Sequence, residues 1–247
     1  GKRHDVVSLE VSIIMIKNVK FNKNEKLFWV LSITLLMISF GISQSNLLYL
    51  VASILGVTAL LFLAKGEPVG QLIVIVFSTL YAIISFRYRY YGEIFTYVGM
   101  TVPSALITAI IWYKNPHKQD ETVVRIHKLS AFKKWMIWIL TPVVTFAFYH
   151  VLKYFETPNL LVGTASISTS FVASMLMFFR SKYYGVFYAL NDIVLVMLWI
   201  LASIDDLRYL PMVICFAIFL GYDLYAVYNW KKMAQQQRRT LMVHEVL

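Results

Sequence analysis

Charged residues fill only 15% of the 247 positions, well below the roughly 25% of an ordinary soluble domain and too few to cover a water-exposed globule of this length. Cysteine occurs once, as Cys215 inside an apolar stretch, which excludes an intrachain disulfide and a cysteine-based metal centre. No G-x-x-x-x-G-K-[ST] segment is present, so nothing in the chain is built to cradle the phosphates of ATP for active transport. H-E-x-x-H and G-x-S-x-G are also missing, and of the five histidines His4, His117, His127 and His244 lie in loops or tails. Without a clustered base and nucleophile the expectation is a protein that is not an enzyme and carries neither cofactor nor metal.

What the chain has in abundance is apolar side chains, 59% of all residues. They form eight runs: Leu27 to Ser43, Leu47 to Ala64, Val69 to Phe86, Ile94 to Tyr113, Trp135 to Leu152, Leu160 to Phe179, Tyr184 to Ala202 and Leu210 to Trp230. Runs of this length, at 1.5 Å per helical residue, cross a hydrocarbon core of about 30 Å. They lack the polar face of a soluble helix and the alternation of a barrel strand. The fold class expected is therefore an all-α integral membrane protein with eight transmembrane helices. The start does not read as a cleaved signal peptide, because the first long apolar run begins only at Leu27. Gly1 in place of Met points to a trimmed start, and Val6 to Val19, which carries Glu10 and Lys17, reads as an interfacial helix.

The formal net charge of +10 is a matter of topology. An even number of spans puts both termini on one side, and all but four of the 23 lysines and arginines then share that side, the exceptions being Arg87, Arg89, Lys153 and Arg208. The positive-inside bias makes it the cytoplasmic side, and nucleic-acid binding becomes unnecessary. Trp29, Tyr49, Trp112, Tyr113, Trp135 and Trp230 fall at span ends, as interfacial aromatics do.

An internal repeat organises the spans. Asn46-Leu47-Leu48 matches Asn159-Leu160-Leu161, Ala52 matches Ala165, Gly70 matches Gly185, and Ile111 to Asn115 resembles Val227 to Lys231. The division expected is 1–26 as a cytoplasmic N-terminal segment, 27–43 as a leading span, 46–115 as a first three-helix unit, and 116–152 as a cytoplasmic loop with a linker helix. A second three-helix unit follows over 159–231, with a tail at 232–247. Because four spans separate equivalent points, the units run parallel, a layout used by transporters with a midplane site between repeats.

Polar side chains inside a bilayer are functional candidates by default. The seventh span places Tyr184, Tyr188 and Asn191 on one face, with Phe187 and Asp192 adjacent. Aromatic rings can sandwich a flat heterocycle, and an amide can donate and accept. The third span adds Gln71 and Tyr81, and the eighth adds Tyr222, Asp223 and Tyr225. The sixth carries small hydroxyl residues, among them Ser166, Thr169, Ser170 and Ser174, read mainly as packing contacts. Pro103 and Pro142 are expected kinks.

With these features the chain resembles the PnuC family of bacterial nicotinamide riboside transporters. The family pattern Trp-x-x-Trp-x-x-Asn falls here on Gly185, Tyr188 and Asn191, so Tyr188 and Asn191 can inherit the packing and hydrogen-bonding roles while Gly185 cannot inherit the first. The resemblance implies a SWEET-like fold in the bacterial inner membrane, a homotrimer embedded in the lipid bilayer, and a small-molecule substrate moved by facilitated diffusion and trapped by a cytoplasmic kinase. Substrate-binding roles then fall to Tyr188, Asn191, Tyr184, Phe187, Asp192, Gln71, Tyr81, Tyr222, Asp223 and Tyr225. Related subgroups carry thiamine or deoxynucleosides, and proton coupling through Asp192 or Asp223 is an alternative. A scaffold that recruits a partner through Lys114 to Lys134 stands further back.

Overall fold

The structure, a computed structural model, describes residues 21–117 and 120–246; the expected interfacial helix at Val6 to Val19 lies outside the described residues. Among the described residues, eight helices long and apolar enough to cross a membrane follow in order: α1 Lys23–Ser43, α2 Leu47–Lys65, α3 Val69–Arg87, α4 Tyr91–Lys114, α5 Ala131–Tyr154, α6 Leu160–Phe178 and α7 Tyr184–Asp205, with the last span lying in α8, Leu210–Val246. This is an all-α membrane protein of eight spans. Large apolar side chains such as Leu31, Ile42, Trp138 and Phe146 stand on its outer surface, the arrangement that lipid, and not water, requires.

Several helices run past their apolar segments. A capping box starts α1 four residues early: Asn22 Oδ1 accepts from the Glu25 N–H at 2.8 Å and Glu25 accepts from the Asn22 N–H at 2.7 Å. α4 begins at Tyr91 instead of Ile94, which draws Glu93 into the protein interior. α8 continues from the last span through most of the expected tail. The loop after α4 holds a short antiparallel pair, β1 Pro116–His117 and β2 Asp120–Val124.

Pro103 does not simply kink its helix. The seven residues before it and its neighbour, Phe95–Thr101, form a π-helical stretch, which widens the backbone where a proline ring would crowd the preceding turn. α2 packs on α3 and α8, α7 on α6 and α8, α1 on α2 and α8, and α5 on α6. Two apolar clusters result. One joins α1 to α4 with the later parts of α7 and the start of α8, around Tyr81, Trp199 and Phe216. The other gathers the ends of α2, α4 and α6 against the start of α7, around Trp112, Tyr184 and Trp230.

Candidate functional site

Between the two clusters a space of about 60 Å³ remains, enclosed by the middles of α2, α3, α4, α6, α7 and α8. On one wall the rings of Phe77, Tyr97 and Phe219 meet, with Phe77 5.8 Å from Tyr97 and 5.4 Å from Phe219 between ring centres. On the other stand Gln71, Tyr188, Asn191, Asp192 and Asp223. Gly56 allows this closeness: a Cβ there would sit 2.3 Å from Phe219 and 3.0 Å from Phe77. The volume holds about four or five waters, so the cavity is closed around a smaller space than any nucleoside needs.

The hydroxyl face of α6 fixes Asn191. Thr169 Oγ1 and Ser170 Oγ donate to Asn191 Oδ1 at 2.8 and 2.9 Å. The amide oxygen is thereby taken, and the amide N–H groups, with no acceptor among the described residues, are what Asn191 offers a ligand. Ser174 pairs with the Tyr188 hydroxyl at 3.1 Å. Among the described residues Gln71 Nε2 has only the Met177 sulfur, a weak acceptor, at 2.9 Å. Asp192 and Asp223 lie against one another across the α7–α8 interface, and the buried Asp192 Oδ2 meets no donor among the described residues. A buried acceptor left unpaired at a cavity wall marks a place for an incoming hydroxyl or cation.

Behind this wall runs a second polar chain. Trp199 Nε1 donates to the Tyr81 hydroxyl at 2.8 Å, Tyr81 donates to Glu93 Oε2 at 3.4 Å, and Ser166 donates to Glu93 Oε1 at 2.8 Å. Ser166 also reaches Asn191 Oδ1 at 3.4 Å, so the chain touches the cavity through Asn191. Sequence reading passed over Glu93, since Tyr91-Gly92-Glu93 resembles a loop. The available signal was a carboxylate within a turn of an apolar run.

Of the residues singled out in the sequence, Gln71, Tyr188, Asn191, Asp192 and Asp223 come together at the cavity. Tyr81 stands behind the wall in the Glu93 chain. Tyr184 donates its hydroxyl to the Leu63 carbonyl at 3.1 Å and packs on Trp230 with ring centres 4.7 Å apart. Tyr222 packs on Phe28, 4.6 Å between ring centres. Tyr225 donates to Glu25 Oε1 at 2.6 Å, which also meets Lys65. Phe187 is half-buried against the second cluster. These last four neighbourhoods lie off the cavity wall, whereas Phe77, Tyr97 and Phe219, which sequence spacing did not single out, supply most of its ring surface. Gly185 presses α7 onto α8: a Cβ would stand 2.9 Å from the Asp223 carbonyl oxygen, so no larger residue fits where the family pattern has tryptophan.

Comparison with known proteins agrees with this architecture. The chain is 22% identical over 190 residues to the nicotinamide riboside transporter PnuC of Neisseria mucosa, covering 75% of this chain and 72% of that protein. It is likewise 22% identical over 190 residues to the transporter of that name from Haemophilus influenzae, covering 76% and 81%. A crystal structure of the vitamin B3 transporter PnuC superposes with a TM-score of 0.78 at 19% identity, covering 88% of this chain and 94% of that one. The family model described as nicotinamide mononucleotide transporter matches residues 46–232, and the chain belongs to that family of membrane transporters.

Proposed function

We propose that the chain carries nicotinamide riboside down its gradient across a bacterial inner membrane, with both termini in the cytoplasm. The observation that carries this reading is the cavity between the two clusters, where rings, an amide and an unpaired carboxylate oxygen converge at mid-membrane. A nicotinamide ring stacks on faces such as Phe77 and Tyr97. Its carboxamide or the ribose meets Asn191 and Gln71, and its cationic ring nitrogen is matched by Asp192 and Asp223. The small volume supports a resting state that must open, with the two three-helix units rocking about the site. A cytoplasmic kinase that phosphorylates the vitamin would trap it.

The homotrimer implied by the resemblance has its best candidate surface on α5, where Ile137 and Leu152 are the buried residues and Trp135, Trp138 and Phe146 stand outward. Native mass spectrometry in detergent decides the assembly. For the substrate, calorimetry on purified protein with nicotinamide riboside, thiamine and deoxynucleosides in parallel is the direct test. Saturable binding of nicotinamide riboside alone supports the reading, followed by flux into liposomes loaded with the kinase. Binding of thiamine or a deoxynucleoside instead reassigns the cargo, and binding of none removes the vitamin reading.

A further inference from the structure

A much larger cavity, about 840 Å³, opens at the end of the helices where α4 finishes, α5 begins and α8 continues past its span. Its walls come from separate elements: the end of α4 with β1, the segment after β2, the start of α5, the α6–α7 loop and the continuation of α8. Among the residues whose side chains are described, six permanent cations line it, Lys114, Arg125, Lys128, Lys134, Lys182 and Arg238, and no carboxylate does. The ion pairs present among the described residues are Lys65 with Glu25 and Arg208 with Asp206, both elsewhere.

The positive-inside bias explains why cations sit on this side; it does not ask them to converge on one cavity. Convergence is held by a specific set of bonds. Gln237, almost fully buried, donates Nε2 to the Val124 carbonyl at 3.1 Å and accepts from the Ile126 N–H at 2.9 Å. The His127 N–H donates to the Arg180 carbonyl at 3.1 Å, and the Arg125 N–H to that of Asn115 at 2.9 Å. Like charges held around a shared concavity repel one another, and an anion bound among them relieves that repulsion. The His127 imidazole is held below its usual range by burial first, and then by Lys133, Arg180 and Arg125 nearby.

We propose that this cavity is a binding site for the phosphate groups of a nucleotide-sized anion. Lysine and arginine are the side chains for phosphate, and the volume falls within the range of sites for small organic ligands. Ile126, Leu129 and Tyr183 supply apolar wall for the rest of the molecule. The cavity also joins the end of α4, the residues leading into α7 and the continuation of α8, whose middles enclose the transport site. An anion seated there clamps those three helices and slows the rocking. That last step rests on the transport reading; the binding step does not.

The test uses full-length protein in a neutral detergent, titrated with adenosine monophosphate, adenosine triphosphate and inorganic phosphate, with adenosine as the uncharged control. Saturable binding of a phosphorylated probe is expected, at least tenfold tighter than adenosine, weakening with salt and losing at least tenfold in a Lys182→Gln/Arg238→Gln double variant. Thermal unfolding and a monodisperse size-exclusion profile of that variant, matched to wild type without ligand, serve as the check on folding. In parallel, thermal stability is measured with phosphatidylglycerol and with phosphatidylcholine. Stabilisation by phosphatidylglycerol that the double variant loses, with no nucleotide bound, keeps the phosphate chemistry and makes a lipid headgroup its source. Failure of every phosphate-bearing probe, or binding equal in wild type and double variant, overturns the proposal. Because neither readout depends on the vitamin, failure of the cargo assignment would leave this result standing, and the reverse.

Discussion

Replacement of Asn191 by alanine separates two jobs that one side chain performs. Its oxygen accepts from Thr169 and Ser170, while its N–H groups are left for a ligand. When the oxygen is removed, the single Thr169 hydroxyl proton can turn to the carbonyl of Ala165 at 2.9 Å or of Ser166 at 3.1 Å, but Ser170 loses the acceptor it has. One orphaned buried hydroxyl costs about 1 to 2 kcal/mol of stability, tolerable for a folded membrane protein. Loss of the donor toward substrate costs about 1 to 3 kcal/mol of binding, or roughly 5- to 150-fold in Kd. Ser170→Ala is the control, since Asn191 then keeps Thr169 and all its N–H groups. Calorimetric titration of nicotinamide riboside, with thermal unfolding of the same samples, reads both effects. Asn191→Ala is expected to lose affinity by that factor and Ser170→Ala to stay within about threefold of wild type. An unchanged Kd in Asn191→Ala, or equal losses in the two variants, refutes the assignment.

Other expectations follow from the same geometry. Gly56→Ala places a methyl against Phe219 and Phe77 and should lower stability by about 1 to 3 kcal/mol through overpacking, with loss of vitamin binding; an unchanged melting temperature would show that the ring wall yields freely. Tyr184→Phe removes a buried hydroxyl from the Leu63 carbonyl and should cost about 1 kcal/mol of stability without altering Kd, whereas a large affinity loss would return Tyr184 to the binding site. For a facilitator, flux into liposomes should ignore an imposed pH gradient in wild type and in Asp223→Asn alike. A gradient dependence abolished by that substitution would establish proton coupling instead.

The eight spans were legible because 17 or more apolar residues in a row have few other uses. The landmarks matched between the two expected units do different things in the structure. Asn46 caps α2 by accepting from the Leu48 N–H at 2.9 Å, whereas Asn159 sits in the left-handed region with φ of 55° and turns its amide toward the Tyr90 hydroxyl at 3.4 Å. Gly70 clears room for Leu63 in the adjoining helix, and Gly185 for the backbone of α8. Helical spacing tells which residues share a face, as it did for Tyr184, Tyr188 and Asn191, but not which neighbour that face meets along its length. One turn separates Tyr184, committed to the end of α2, from Tyr188 at the cavity. Phe77, Tyr97 and Phe219 escaped notice because in an apolar span an aromatic ring that lines a site looks like any ring that packs.

The end of α2 bears on how such a molecule can move. Its last turn closes on Gly66, in the left-handed conformation with φ of 77°, whose N–H caps the Leu63 carbonyl, and carbonyls of that turn are also claimed by the far part of the chain. Tyr184 and Trp230 both donate to Leu63 at 3.1 Å, and Asn229 donates to Ala64 at 2.7 Å. The end of α2 is thus plugged into α7 and α8 like a tenon into a mortise. At about 1 kcal/mol for each bond, the joint adds roughly 3 kcal/mol to any motion that parts the end of α2 from α7 and α8, a toll a pivot escapes by turning about the joint and opening the opposite face first.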